Sequence, residues 1–160
     1  MNVKSLAYVV VQSTDQSKWV DYGTNVCGFM QGTAITGNDI VYLRMDERKF
    51  RYAIVKGDVD GLLYAGWDLG SEAEFNKAIA DLTADGVAFE RITDEKELAS
   101  RAVSGLLRLA DPSGNKLELT YAANGVDIDS APFASSLDVK GFITKANDGT
   151  DMGLGHVVLH

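Results

Sequence analysis

"GLLYAGWDLGSEAEFNKAIADLTADG" (Gly61–Gly86) is the stretch on which the fold turns. Gly61–Gly70 is an apolar run bounded by glycines, as strands are. Ser71, with Glu74 three residues on, forms a capping-box pattern. Phe75, Ile79 and Leu82 then recur at helical spacing, and Gly86 supplies a stop. The next segments read as strands: "VAFERIT" (Val87–Thr93), "VSGLLRLADP" (Val103–Pro112) and "NKLELTYA" (Asn115–Ala122). Between the first two lies "DEKELASRA" (Asp94–Ala102), a short charged helix or turn. Asp111-Pro112-Ser113-Gly114 joins the last two with strong turn chemistry.

The same order occurs once already, upstream. "SLAYVVVQS" (Ser5–Ser13) is apolar and β-branched, a strand buried on both faces. Asp15 is placed to cap a helix in which Trp19, Tyr22 and Val26 share one face, ending at Gly28. "DIVYLRMD" (Asp39–Asp46) and "FRYAIVKG" (Phe50–Gly57) alternate, and the three residues between them predict a tight hairpin. The pattern therefore repeats after about 56 residues, and a repeat outweighs any single motif. Two βαβββ modules, about 3–58 and 61–122, make one domain over 1–125 of the α+β class, with a mixed sheet. Residues 126–152 are polar and rich in Gly and Asp, the composition of a linker.

A third start follows. "GLGHVVL" (Gly153–Leu159) aligns with "SLAYVVV" (Ser5–Val11), and His156 falls opposite Tyr8; "LLYAGWD" (Leu62–Asp68) fits more loosely and puts Tyr64 there. A lone strand cannot stabilise itself. Residues 153–160 are therefore expected to be the first strand of a truncated C-terminal domain.

Composition sets the outer limits. The 160 residues carry a net charge of −8, with 46% hydrophobic and 24% charged residues, so one core of useful size is possible. That charge argues against nucleic acid and anionic membrane as partners. No apolar run approaches the length of a membrane span. Cys27 is the single cysteine and excludes an intramolecular disulfide. With no signal-like N-terminus, this points to the cytoplasm. The apolar surroundings of Cys27 favour a buried, inert thiol.

His156 and His160 are the protein's two histidines. Two histidines and a carboxylate in a facial triad suit non-haem Fe(II). Four residues of strand span about 13 Å, whereas donors to one ion stand within about 4 Å of each other, so one strand cannot easily bring both histidines to one metal. His160 is thus expected to be a terminal residue without a ligand role. "DERK" (Asp46–Lys49) reads as a solvated hairpin turn and "TDEKE" (Thr93–Glu97) as an exposed helix start. Trp19 and Trp67 read as core. "GTAITG" (Gly32–Gly37) lacks the lysine and following helix of a phosphate loop. No Ser-His-Asp arrangement is available without a histidine inside the domain.

Several of these stretches together resemble a known family. "GFIT" (Gly141–Thr144) followed by "GLGHVVL", with Pro132-Phe133 ahead of them, resembles the domain junction of type I extradiol ring-cleavage dioxygenases. "WVDYGTNVCGF" (Trp19–Phe29) is similar to their first helix. "DPSGNKLELTY" (Asp111–Tyr121) looks like the end of a paired module of the vicinal oxygen chelate (glyoxalase-like) superfamily. The resemblance implies a barrel of paired modules and an enzyme that opens catechols, biphenyl-diol-like rings among them, with O₂. It implies Fe(II), or Mn(II), as the cofactor, and a homo-oligomer. It implies that His156 is the first iron ligand, that the remaining histidine and glutamate ligands lie beyond residue 160, and that residues 1–160 hold no catalytic residue and are inactive alone. In the superfamily register the ligand positions of the two modules are Tyr8, Tyr64 and Glu118. Only Glu118 is a ligand type, and it is expected to be a satisfied structural carboxylate. Two other readings remain: a metal-free small-ligand binding protein of the same fold, and a glyoxalase-type isomerase, against which Tyr8 and Tyr64 speak.

Overall fold

The structure is a computed structural model that describes residues 1–35, 39–123, 128–135, 137 and 154–159. These fall into two compact units. One takes Tyr8–Leu63 and the described residues from Ile128 to His156, and the other takes Met1–Ala7 and the described residues of Tyr64–Asp127 and Val157–His160.

The second unit holds the stretch that opens the sequence reading from Tyr64 on. Strand β5 is Gly61–Asp68, helix α2 is Glu72–Ala84, and strand β6 is Phe89–Ile92. A short helix α3, Glu95–Arg101, leads to β7, Gly105–Ala110, and β8, Lys116–Tyr121. The strands β6, β7 and β8 are antiparallel neighbours, and β8 then pairs parallel with β5. The reason is the crossover: a strand followed by an amphipathic helix returns to the sheet parallel, and hairpins afterwards run antiparallel. Phe75 and Leu82 of α2 pack with Leu69, Ala78, Leu107 and Leu119 in one buried cluster, against which Ile79 and Trp67 lean. Ser71 accepts the N–H of Glu74 at 3.3 Å, as the capping pattern predicts. The Glu74 carboxylate accepts from the Asn2 N–H at 2.7 Å and so ties the chain start to the helix. Gly114 has φ +89°, a conformation that side chains rarely tolerate, at the end of the Asp111–Gly114 turn.

The first sequence repeat, most of it in the other unit, has the same plan. Strand β1 is Ser5–Ser13, helix α1 is Gln16–Asn25, and β2, β3 and β4 are Met30–Gln31, Val41–Arg44 and Tyr52–Lys56. The ladder runs antiparallel from β2 through β3 to β4, and β4 pairs parallel with β1. Leu6 to Val11 are all buried, as expected of a strand covered on both faces. Asp15 caps α1 by accepting the Ser17 N–H at 3.1 Å.

Several expectations change. The strand β2 has no signal in the sequence. The turn between β3 and β4 is not tight: Met45–Arg51 separates them, because Asp46 and Arg51 are folded inward as an ion pair. "DERK" is accordingly not a solvated turn, and Asp46 is only 4% exposed. The face of α1 that meets its sheet is set by Gly23, where an added Cβ would stand 2.8 Å from Leu43 Cδ1. Tyr22 and Val26, expected on the buried face, are instead 59% and 58% exposed, and Trp19 is half-buried. Cys27 is half-buried rather than buried. Among the described residues no helix is long and apolar enough to cross a membrane.

Candidate functional site

Glu118, a residue type able to ligate a metal, lies on β8. Its side chain is fully buried. Two arginines reach it. The Arg101 Nε donates to one carboxylate oxygen at 2.9 Å, and Arg108 Nε donates to the other at 3.0 Å. Arg108 is placed by the sheet, since it stands directly across the β7–β8 ladder from Glu118. Arg101 is placed by α3. That helix exists because Asp94 accepts the Glu97 N–H at 2.9 Å and Ala102 ends it in the left-handed region at φ 53°. The expected exposed start of this helix is present at Thr93–Lys96.

Arg108 also donates to Glu97 at 2.7 Å and lies over the Tyr64 ring, 4.9 Å from its centroid. Lys116 approaches the same ring at 6.0 Å. Burial pulls the Arg108 proton affinity down, but the hydrogen bond and charge of Glu118, aided by Glu97, hold it above its ordinary value. The cluster is thus an internal salt lock. A divalent cation at Glu118 would meet two guanidinium groups at hydrogen-bond distance, and Tyr64 presents its ring face to cations already in place. In the first unit Tyr8 is 3% exposed, and its ring packs 5.3 Å from that of Phe50. Its surroundings are those of a core aromatic.

His156 is exposed and lies outside any strand among the described residues. His160 and most of 126–152 lie outside the described residues, as does all of Gly141–Gly153. Among the described residues no three His, Cys, Asp or Glu side chains gather so that they could hold a metal ion. A facial triad needs three such donors, so the residues present do not fit an iron site by themselves.

A second charged cluster has no counterpart in the sequence reading. Arg44, at the end of β3, has a fully buried side chain. It donates to Arg48 O at 3.0 Å, Asp46 O at 3.2 Å and Ala131 O at 2.9 Å. Its Nη1 stands 3.6 Å from Asp129 Oδ1. Burial raises the Asp129 carboxyl affinity for a proton. The N–H of Ala131, the hydroxyl and N–H of Thr33 and the Arg44 charge outweigh it and hold the group below the usual carboxylate range. No local pattern announces this cluster, because Thr33 and Asp129 are 96 residues apart.

Two βαβββ units, each with its parallel pair closing the ladder, define the vicinal oxygen chelate fold. Comparison with known proteins shows what the chain is similar to. Residues 6–57 match the family profile described as Dihydroxybiphenyl dioxygenase BphC D1. The chain is 38% identical over 159 residues to an iron-dependent extradiol dioxygenase of Rhodococcus jostii strain RHA1, covering 99% of this chain and 49% of that protein. It is 36% identical over 160 residues to a 1,2-dihydroxynaphthalene dioxygenase of Sphingobium xenophagum, covering 99% of this chain and 50% of that one. A solved catechol 2,3-dioxygenase superposes with a TM-score of 0.78 at 31% identity, over 88% of this chain and 48% of the other. The chain is thus similar over nearly its whole length to proteins named as extradiol and dihydroxynaphthalene dioxygenases. It spans about half the length of the curated relatives it matches.

Proposed function

We propose that the chain serves as the first, non-catalytic paired-module domain of an Fe(II)-dependent extradiol dioxygenase, which opens a biphenyl-diol-like catechol ring with O₂. One observation carries this reading: nearly the whole chain aligns with half of an iron-dependent extradiol dioxygenase. Its own residues support the division of labour. The ligand-type carboxylate Glu118 is committed to Arg101 and Arg108, so this half contributes shape and stability. In this reading residues 1–125 form the domain, 126–152 the linker and 153–160 the first strand of the catalytic domain. His156 then supplies one imidazole to the iron, for which Mn(II) is the alternative ion, and the other donors come from the rest of the enzyme. The protein acts in the cytoplasm as a homo-oligomer.

The test has two arms. Purified residues 1–160 with added Fe(II), O₂ and 2,3-dihydroxybiphenyl are expected to form no ring-cleavage product. The natural enzyme containing this chain is expected to form it, and His156→Ala there is expected to abolish bound iron measured by elemental analysis. The melting of the paired modules is expected to stay within about 0.5 kcal/mol of wild type, as for an exposed residue. Full iron content in His156→Ala, or ring cleavage by residues 1–160, would refute the assignment. Saturable catechol binding by residues 1–160 without metal would favour the small-ligand binding protein instead.

A further inference from the structure

The chain does not leave the fold after β8 ends at Tyr121. Ile128 forms an antiparallel bridge with Arg48, and the Asp129 N–H donates to Glu47 O at 3.0 Å. Farther on, the Phe133 N–H donates to the Glu47 carboxylate at 3.2 Å, and the Ser135 hydroxyl donates to Gly28 O at 2.9 Å. Every one of these partners belongs to the first module. At the centre sit Arg44 and Asp129, with side chains 0% and 1% exposed.

We propose that Arg44 and Asp129 form a clasp that binds the segment after the second module, Ile128–Ser135, onto the first module and fixes its course. Removing two charges from water is costly, and apolar side chains hold a segment as firmly. What the pair adds is register. The guanidinium is a rigid planar fork: the Arg48 and Asp46 carbonyls of its own module fix its orientation, and from there it meets the Ala131 carbonyl of the segment, which sets where the segment lies. Gly32 makes room for this arrangement: a Cβ there would stand 2.7 Å from Lys49 O and 3.1 Å from Tyr42 Cβ. Gly32 in turn brings Thr33 to Asp129, whose carboxylate takes both its N–H and its hydroxyl. The clasp stands independently of the proposed iron chemistry. In an enzyme of that kind it would make Arg44 a positioning residue for the chain that leads on to His156.

Hydrogen exchange read by mass spectrometry on residues 1–160 tests it. In Asp129→Asn, peptides covering Ile128–Ser135 and Thr33 are expected to exchange about tenfold faster or more, while those of β1, β4, α2 and β7–β8 keep their wild-type rates. Arg44→Lys keeps the charge but not the fork, and it is expected to behave like Asp129→Asn. Thr33→Val, a milder change, is expected to give a smaller rise confined to the same segment. Wild-type exchange of Ile128–Ser135 in Asp129→Asn would overturn the proposal, as would full rescue by Lys at position 44. A uniform loss of protection across β1, β3 and β4 would also overturn it, because the pair would then be part of the general core.

Discussion

Replacing Glu118 by glutamine tests the salt lock of the second unit most directly. The substitution keeps size and one acceptor oxygen but removes the charge facing Arg101 and Arg108. Arg101 is 6% exposed in its side chain and cannot turn to water, so its guanidinium is left buried opposite a neutral amide. Breaking a buried ion pair from one side costs about 3–5 kcal/mol. The Arg108 share is smaller, because that side chain is 19% exposed and keeps Glu97 at 2.7 Å. The expected loss is therefore at the low end, about 3 kcal/mol. For a domain of this length that lowers the midpoint of thermal unfolding by about 6–12 °C. Urea titration followed by circular dichroism gives the same quantity as a shifted midpoint at constant slope. The triple change Glu118→Leu, Arg101→Met and Arg108→Met removes all three charges and is expected to recover most of the loss. The salt lock also predicts no Fe(II)-dependent rise of the wild-type midpoint. A Glu118→Gln loss below about 0.5 kcal/mol, the scale of surface changes, would refute the argument. So would an Fe(II)-dependent stabilisation that Glu118→Gln abolishes.

Two further outcomes follow from local geometry. Gly105→Ala would place a Cβ 2.4 Å from Tyr121 Cε1 and 3.0 Å from Phe75 Cζ, and is expected to cost about 1–3 kcal/mol in urea unfolding; shrinking Tyr121 to Val in the same chain should reduce that cost, and strictly additive losses would count against the contact. The Asp111 carboxyl is held below the usual range by the Asn115 side chain first, then by the Asn115, Ser113 and Gly114 N–H groups. Its stabilising contribution is therefore complete above the unfolded value of about 3.9 and is lost as the pH falls through the lower folded value. Thermal melts from neutral to acid pH should show Asp111→Asn converging with wild type at the acid end, and a constant gap would refute the linkage.

What the sequence makes legible here is whatever is coded within a few residues. Ser71 and Phe75 announce α2, the Asp111–Gly114 turn announces the β7–β8 hairpin, and the recurrence of both strand and helix announces the second module. Glu118 is also legible: its register marks it as a carboxylate that needs satisfying. What stays hidden is who satisfies it. Arg101 reads as one charge in a charged helix or turn, Asp46 reads as part of a solvated hairpin turn, and Arg44 and Arg51 read as charges in the alternating strands beside it. Arg101 meets Glu118 17 residues on and Arg44 meets Ala131 87 residues on, while Asp46 and Arg51 pair across a loop whose inward fold no local pattern shows. The face of α1 is hidden for a different reason. Gly23 contributes no apolar signal, yet its lack of a side chain decides which side of the helix can approach Leu43.

The return of Asp129 to the first module also bears on how the chain is made. A ribosome adds about 5–20 residues per second, so Asp129 follows Thr33, 96 positions earlier, by roughly 5–20 s. During that interval Arg44 has no Asp129 to meet, and the nascent first module cannot reach its finished state before the whole of the second has been translated. The two repeats are successive in the gene, yet their maturation is interleaved.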